Sequence, residues 1–154
     1  MTTGDFNGDG NTDIATANSG DYNTGNTTVL LGNGSGSFST IQNFSLGDSI
    51  VPKSVCNADF DGDGFTDLAF ASVFHNVHPN VVVLKGDGNG NFNSPATFTI
   101  DSFPYKILTG DFNGDTIPDL AVISSKTNID SGYVDILINC DISGFTDASR
   151  PVAF

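Results

Sequence analysis

One acidic loop is written three times along this chain, and that periodicity limits the fold more than any other feature. It reads Asp5-Phe-Asn7-Gly-Asp9-Gly-Asn11-Thr-Asp13, then Asp59-Phe-Asp61-Gly-Asp63-Gly-Phe65-Thr-Asp67, then Asp111-Phe-Asn113-Gly-Asp115-Thr-Ile117-Pro-Asp119. The copies start 54 and 52 residues apart. Oxygen-bearing side chains stand at the first, third, fifth and ninth positions of each copy. That spacing suits a hard cation, which takes roughly six to eight oxygen ligands. A single such loop is a weak signal. Three at one period make a repeat array, because chance matches have no reason to recur in phase.

A second marker follows each loop. It reads Val-Leu-Leu-Gly32-Asn-Gly-Ser-Gly36-Ser-Phe38, then Val-Leu-Lys-Gly86-Asp-Gly-Asn-Gly90-Asn-Phe92, then a worn copy, Ile-Leu-Ile-Asn139-Cys-Asp-Ile-Ser-Gly144-Phe145. Around these markers each repeat holds four strand-like runs. The first precedes the acidic loop, as in Ser54 to Ala58. The second follows it: Ile14 to Ala17, Leu68 to Ala71 and Leu120 to Ile123. The third is Thr28 to Leu31, Val81 to Leu84 and Val134 to Ile138. The fourth is Ile41 to Leu46, Ala96 to Ile100 and, briefly, Pro151 to Phe154. Short runs between Gly-rich turns predict four-stranded antiparallel sheets, and one such unit every 50 or so residues is the mark of a β-propeller blade.

The fold class predicted is therefore all-β, with three blades at about 1–46, 50–100 and 103–154. The acidic loop joins strand one to strand two of each. Repeat one begins almost at its loop, so its first strand is expected to be missing. That predicts an open edge near Thr28 to Leu31 or at the strand beside loop one. Propellers close with roughly four to eight blades. Three do not form a ring, which leaves two expectations: two chains associate into a six-bladed one, the Pro151–Phe154 end of one meeting the N-terminal edge of the other, or the chain is an open three-blade arc of a longer propeller.

Composition agrees. The chain has 18 Gly, 13 Phe, no Trp and one Met, and all 18 of its acidic residues are Asp. No convincing amphipathic helical period is present. Ten of the Asp lie in the three loops, so much of the net charge of −13 is local. Such a surface argues against nucleic acid, which needs a basic footprint, and offers no attraction to anionic lipid. No apolar run is long enough for a transmembrane helix, and Met1-Thr-Thr-Gly-Asp-Phe is not a signal peptide.

The segments DFNGDGNTDIATAN, DFDGDGFTDLAFAS and DFNGDTIPDLAVIS, each with its downstream strand and glycine-rich marker, resemble FG-GAP repeats, in particular the bacterial-style relatives called VCBS repeats. The same repeat builds the head of integrin α-subunits. The resemblance covers essentially the whole chain. It implies a propeller whose blades carry Ca²⁺ in the first interstrand loop. It further implies an extracellular or cell-surface location and a role in cell adhesion or ligand binding.

The loop chemistry points the same way. Close-set carboxylates repel one another unless something neutralises them, and a divalent ion does so while cross-linking the turn. The expected ligands in loop one are Asp5, Asn7, Asp9, Asp13 and the carbonyl of Asn11. In loop two they are Asp59, Asp61, Asp63, Asp67 and the carbonyl of Phe65. In loop three they are Asp111, Asn113, Asp115, Asp119 and the carbonyl of Ile117. Gly10 and Gly64 stand where the chain turns sharply. Thr116 replaces that glycine in loop three, where a β-branched residue is poorly suited to positive φ. The loops are not EF-hands: Thr16, Phe70 and Val122 fill the twelfth position, and strands flank them. The competing reading is Asx-type turns without an ion.

Other features carry less. Phe6, Phe60 and Phe112 read as blade core. The runs from Gly32 to Gly36 and from Gly86 to Gly90 read as hairpin turns, because no helix or Gly-Lys-Ser/Thr follows. His75 and His78 read as an ordinary loop pair. Cys56 and Cys140 fall at different places in their repeats and do not define a redox compartment. Sequons at Asn26, Asn33 and Asn43 are explained by composition. The clustered Asp do not form a glycosidase pair, since a catalytic pair occurs once and these sets recur in every repeat. The function expected is a calcium-stabilised, non-catalytic module that binds a protein or glycan. The alternative is a lectin, with Tyr22, Phe74, Tyr105 and Tyr133 as candidate loop aromatics. A secreted polysaccharide-active enzyme ranks below both.

Overall fold

In a computed structural model of the chain, the described residues are 1–20, 25–74, 78–100, 103–125, 132–139, 145–147 and 152–153, and they contain no helix. They form three antiparallel sheets in chain order. The first runs β1 (Thr2–Gly4), β2 (Asp13–Asn18), β3 (Asn26–Gly32) and β4 (Phe38–Ser45). The second runs β5 (Ile50–Ala58), β6 (Asp67–Phe74), β7 (His78–Leu84) and β8 (Ala96–Thr99). The third runs β9 (Phe103–Gly110), β10 (Asp119–Ser125), β11 (Gly132–Asn139) and β12 (Phe145–Asp147), with β13 (Val152–Ala153) also paired to β11. Every acidic loop links the first strand of its sheet to the second, as the repeat phase requires.

Three details differ from expectation. The first sheet does have its first strand: Thr2, Thr3 and Gly4 pair with Ala15, Ile14 and Asp13. It is only three residues long, too short to show as a pattern. Thr28 to Leu31 is accordingly no edge, because β3 lies between β2 and β4. The fourth strand of the third sheet comes in two pieces. Phe145 to Asp147 pair with Leu137 to Asn139, while Val152 and Ala153 pair with Tyr133 and Val134.

Proline marks where pairing is relaxed, since it has no N–H to give a ladder. Pro52 and Pro104 lie in β5 and β9, each paired on one side only, and each beside a register shift.

The sheets stack face to face, and the middle one is buried on both sides. Leu68, Phe70 and Val82 pack with Phe6, Ala15 and Val29 of the first sheet. Ala69, Ala71 and Val81 pack with Ile107, Leu120 and Leu137 of the third. This is why β6 and β7 read as near-continuous apolar runs while β2 alternates with Thr: a strand covered on both faces has no polar side to display. Hydrogen bonds cross the seams. The Gly90 N–H donates to the Phe6 carbonyl at 2.9 Å, and Asn139 Nδ2 to the Phe60 carbonyl at 2.6 Å. The Thr2 hydroxyl donates to Asn57 Oδ1.

Candidate metal centre

The three loops repeat one hydrogen-bond scheme. The first-position Asp faces the backbone. Asp5 Oδ1 accepts the N–H groups of Gly8 and Asp9, at 2.8 and 3.2 Å, and its Oδ2 accepts that of Gly10 at 2.9 Å. Asp59 does the same with Gly62, Asp63 and Gly64, and Asp111 with Gly114, Asp115 and Thr116. The third-position residues Asn7, Asp61 and Asn113 accept from the N–H two residues on. The fifth-position residues Asp9, Asp63 and Asp115 accept the N–H groups of Asn11, Phe65 and Ile117 at 2.8 Å. Asx-type capping is thus present throughout. It does not compete with a cation, because a carboxylate has about four lone-pair sites and these bonds leave some unused.

The ninth-position Asp is a strut. Asp13, Asp67 and Asp119 are fully buried. Each takes one N–H from its own loop and one from the end of the third strand of its sheet or, in the second sheet, from just past it. For Asp67 these are the Phe60 N–H at 2.9 Å and the Gly86 N–H at 2.8 Å. Asp13 receives Phe6 and Gly32, and Asp119 receives Phe112 and Asn139. The glycines at that strand end are steric: a Cβ on Gly86 would lie 2.3 Å from the Thr66 carbonyl, and one on Gly32 would lie 2.2 Å from that of Thr12. Sequence reasoning saw these aspartates as ligands and missed their second task.

Loop two brings its carboxylates closest together. One oxygen each of Asp59, Asp61 and Asp67 lie within 4.8 Å of one another. Among the described residues no other trio of His, Cys, Asp or Glu is gathered in this way. Asp63 stands outside the trio. In loops one and three an Asn takes the third position, and its amide donates to the fifth-position Asp. Asn7 Nδ2 reaches Asp9 at 3.0 Å, and Asn113 Nδ2 reaches Asp115 at 2.8 Å. Loop two lacks that amide. Instead Lys85 Nζ lies 3.0 Å from Asp61 Oδ2. Leu31 and Ile138 hold the matching place in the other repeats, so this neutralising ammonium was visible in the aligned repeats and went unread.

The charge states follow from these surroundings. Burial pushes Asp67 up to about 6, opposed by the Gly86 and Phe60 N–H groups and reinforced by the neighbouring Asp61 and Asp63. Asp9 is lowered by the Asn11 N–H and then by the Asn7 amide. Asp111 is lowered by the N–H groups of Thr116 and Gly114.

Thr116 does adopt the conformation that its chemistry disfavours, with φ of 72°, where Gly10 and Gly64 sit at 81° and 89°. The hairpin reading of the glycine runs agrees with the structure: Asn33 N–H meets the Ser37 carbonyl, and Asp87 N–H that of Asn91, both at 3.1 Å. Cys56 is a free, buried thiol, raised to about 12 by burial. Cys140, His75, Tyr22 and the side chains of Phe74 and His78 lie outside the described residues. A cleft of about 280 Å³ beside β4 is lined by Asn26, Asn43, Phe44, Ser45 and Asp48.

Comparison with curated proteins finds no match. The FG-GAP-like repeat matches at residues 5–70 and again at 59–122, each match running from one acidic loop into the second strand of the next sheet. Those two matches cover most of the sequence, in phase with the loops and sheets described above, and the chain belongs to the FG-GAP-like repeat family.

Proposed function

We propose that this chain is a calcium-binding, non-catalytic ligand-binding module whose three sheets are blades of a propeller in a secreted or cell-surface protein. The carrying observation is the loop-two trio, three carboxylates gathered within 4.8 Å with the buried one raised to about 6. Crowded negative charge of this kind is what a divalent ion relieves. The donor set is all oxygen, as calcium prefers. Asp59, Asp61, Asp63, Asp67 and the Phe65 carbonyl would hold the ion in loop two. Asp5, Asn7, Asp9, Asp13 and the Asn11 carbonyl would do so in loop one, and Asp111, Asn113, Asp115, Asp119 and the Ile117 carbonyl in loop three. The ion's contribution is to neutralise and cross-link the turn.

The family supports the wider role, since FG-GAP repeats occur in extracellular domains that adhere or bind ligands. Calcium then serves as a structural brace, and protein or glycan partners meet the loops. The lectin reading keeps some support from the cleft beside β4, where amides, a hydroxyl and a carboxylate flank Phe44. Tyr105 presents an exposed ring but lies in β9, and Tyr133 lies in β11, so neither is the loop aromatic that the lectin reading asked for.

The test is thermal unfolding with calcium and with EDTA. A ligand at a hundredfold excess over its dissociation constant adds about 2.7 kcal/mol per site when it binds only the folded state. An unchanged melting temperature would falsify the calcium reading. A glycan array run with and without EDTA separates the lectin from the protein-binding module.

A further inference from the structure

Repeat three breaks a rule that the other two repeats keep. Gly32 and Gly86 close the third-strand run of repeats one and two, where a Cβ would strike the carbonyl of loop position eight. Repeat three has Asn139 there, the last residue of β11, and Pro118 at position eight. Asn139 is 1% exposed. Its backbone N–H does what the glycines do and donates to Asp119 Oδ1 at 2.8 Å. Its side chain does something further. Nδ2 donates across the seam to the Phe60 carbonyl of loop two at 2.6 Å, and lies 3.4 Å from the Pro118 carbonyl of loop three. Both neighbours are carbonyl oxygens, so the nitrogen end of the amide must face them. Its Oδ1 is buried with no hydrogen-bond partner among the described residues. A buried polar side chain left half satisfied calls for a reason beyond packing.

The bonds form a continuous chain between two ninth-position aspartates. Asp67 Oδ2 accepts the Phe60 N–H at 2.9 Å. The Phe60 carbonyl accepts from the Asn139 amide, and the Asn139 N–H meets Asp119. Asp119 Oδ2 in turn holds the Phe112 N–H at 2.9 Å. Asp67, Phe60, Asn139 and Asp119 are all buried, so water does not compete for these bonds. The Phe60 carbonyl belongs to the peptide that leads into Asp61, a member of the carboxylate trio. The chain of bonds stops at loop three, where Phe112 is 49% exposed against 2% for Phe6 and 4% for Phe60. The first seam is looser. There the Phe6 carbonyl accepts from the Gly90 N–H, whereas Asp67 is held by the Gly86 N–H, and Gly88 at positive φ turns the chain between the two glycines.

We propose that Asn139 positions loops two and three jointly, so that calcium in one favours calcium in the other. The inference rests on the calcium reading of these loops. An ion in loop two fixes Asp67 and the peptide between Phe60 and Asp61. Phe60 then holds Asn139, and Asn139 holds Asp119 where loop three needs it. Loop three therefore has less to order when its own ion arrives, and linkage makes the help reciprocal. Loop three is also the loop that needs help: Thr116 takes the place of the turn glycine, and it has fewer carboxylates than loop two.

Calcium titrations of the full chain, followed by nuclear magnetic resonance, read each loop through its own position-four glycine: Gly8, Gly62 and Gly114. Asp61→Ala removes one ligand of loop two and leaves the strut Asp67 in place. With Asn139 present, this change is expected to weaken calcium at loop three about tenfold, the low end for losing a group that orients a metal ligand. Asn139→Gly gives repeat three the residue that the other repeats use and keeps the N–H bond to Asp119. Asn139→Ala keeps the Cβ as well. In either variant Asp61→Ala is expected to leave loop three unchanged, and loop one is expected to hold its midpoint when Asn139 is replaced. A loop-three midpoint indifferent to Asp61→Ala while Asn139 is present overturns the proposal. So does coupling that survives in both Asn139 variants, or a loop-one midpoint that moves with loop three when Asn139 is replaced, which would mean a general loosening of the fold. Calcium that shifts none of the three glycines defeats the calcium reading and this inference with it, whereas shifts without coupling defeat this inference alone.

Discussion

Replacing Thr116 by glycine should stabilise this protein, although most substitutions do the reverse. Thr116 holds φ of 72° in an exposed turn where loops one and two use Gly10 and Gly64. A side chain in the left-handed region costs roughly 1–2 kcal/mol, from the clash of Cβ with the backbone. Glycine removes that strain but loses more chain entropy on folding, about 0.5–1 kcal/mol. The difference leaves a gain of about 0.5–1 kcal/mol. The N–H bond from this residue to Asp111 Oδ2, 3.0 Å long, involves only the backbone and is kept. For a domain of this size the gain corresponds to about 1–4 °C in Tm. Urea unfolding and thermal scans in EDTA read it without interference from bound metal. Thr116→Ala is the control: it keeps the Cβ, so it should recover little of the gain. A glycine variant no more stable than the parent, or an alanine variant that matches it, would refute the strain argument.

Asp67→Ala should cost far more than Asp63→Ala in EDTA. The first orphans the buried N–H groups of Phe60 and Gly86 at about 1–3 kcal/mol each, the second one exposed N–H at about 0.5–1.5 kcal/mol, and denaturant unfolding compares them. Metal-free stability should fall as pH rises from about 4 to 6 and then level off. Asp67 titrates near 6 in the fold against roughly 3.9 unfolded, so the folded state holds the extra proton in that window. Asp67→Asn should flatten this slope, and a slope that survives the substitution would assign it elsewhere. The lowered Asp9 and Asp111 act oppositely, with stabilisation lost only as pH drops below the usual carboxylate range. Lys85→Met should leave metal-free stability within about 1 kcal/mol, because Lys85, the solvent-facing partner of this half-buried pair, is itself 45% exposed. The same change should tighten calcium at one site, as measured by calorimetry, because the ammonium no longer neutralises Asp61. With Lys85 present, Asp63→Ala should still cost more in calcium than Asp115→Ala, since loop two has four carboxylates and loop three has three.

Period and local chemistry determined most of the sheet order. Three acidic loops in phase, each followed by a strand and a glycine-rich turn, left little freedom in which runs pair. Those signals are local, and antiparallel neighbours joined by short turns need only local information. The ligand candidates were legible for the same reason, since loop spacing places them. What lay beyond the sequence were relations between repeats. The ninth aspartates became struts only when the fold carried Gly32, Gly86 and Asn139 back to them. Lys85 became Asp61's partner through the same return of the third strand. Thr2 to Gly4 became a strand because β2 offered an unpaired edge, which three residues do not announce alone. Burial decided the rest. Phe6, Phe60 and Phe112 are one residue type in one motif position, yet two are core and one is surface. Sequence sets how a side chain would respond to burial, but only the stacking of the sheets decides which of them lose water.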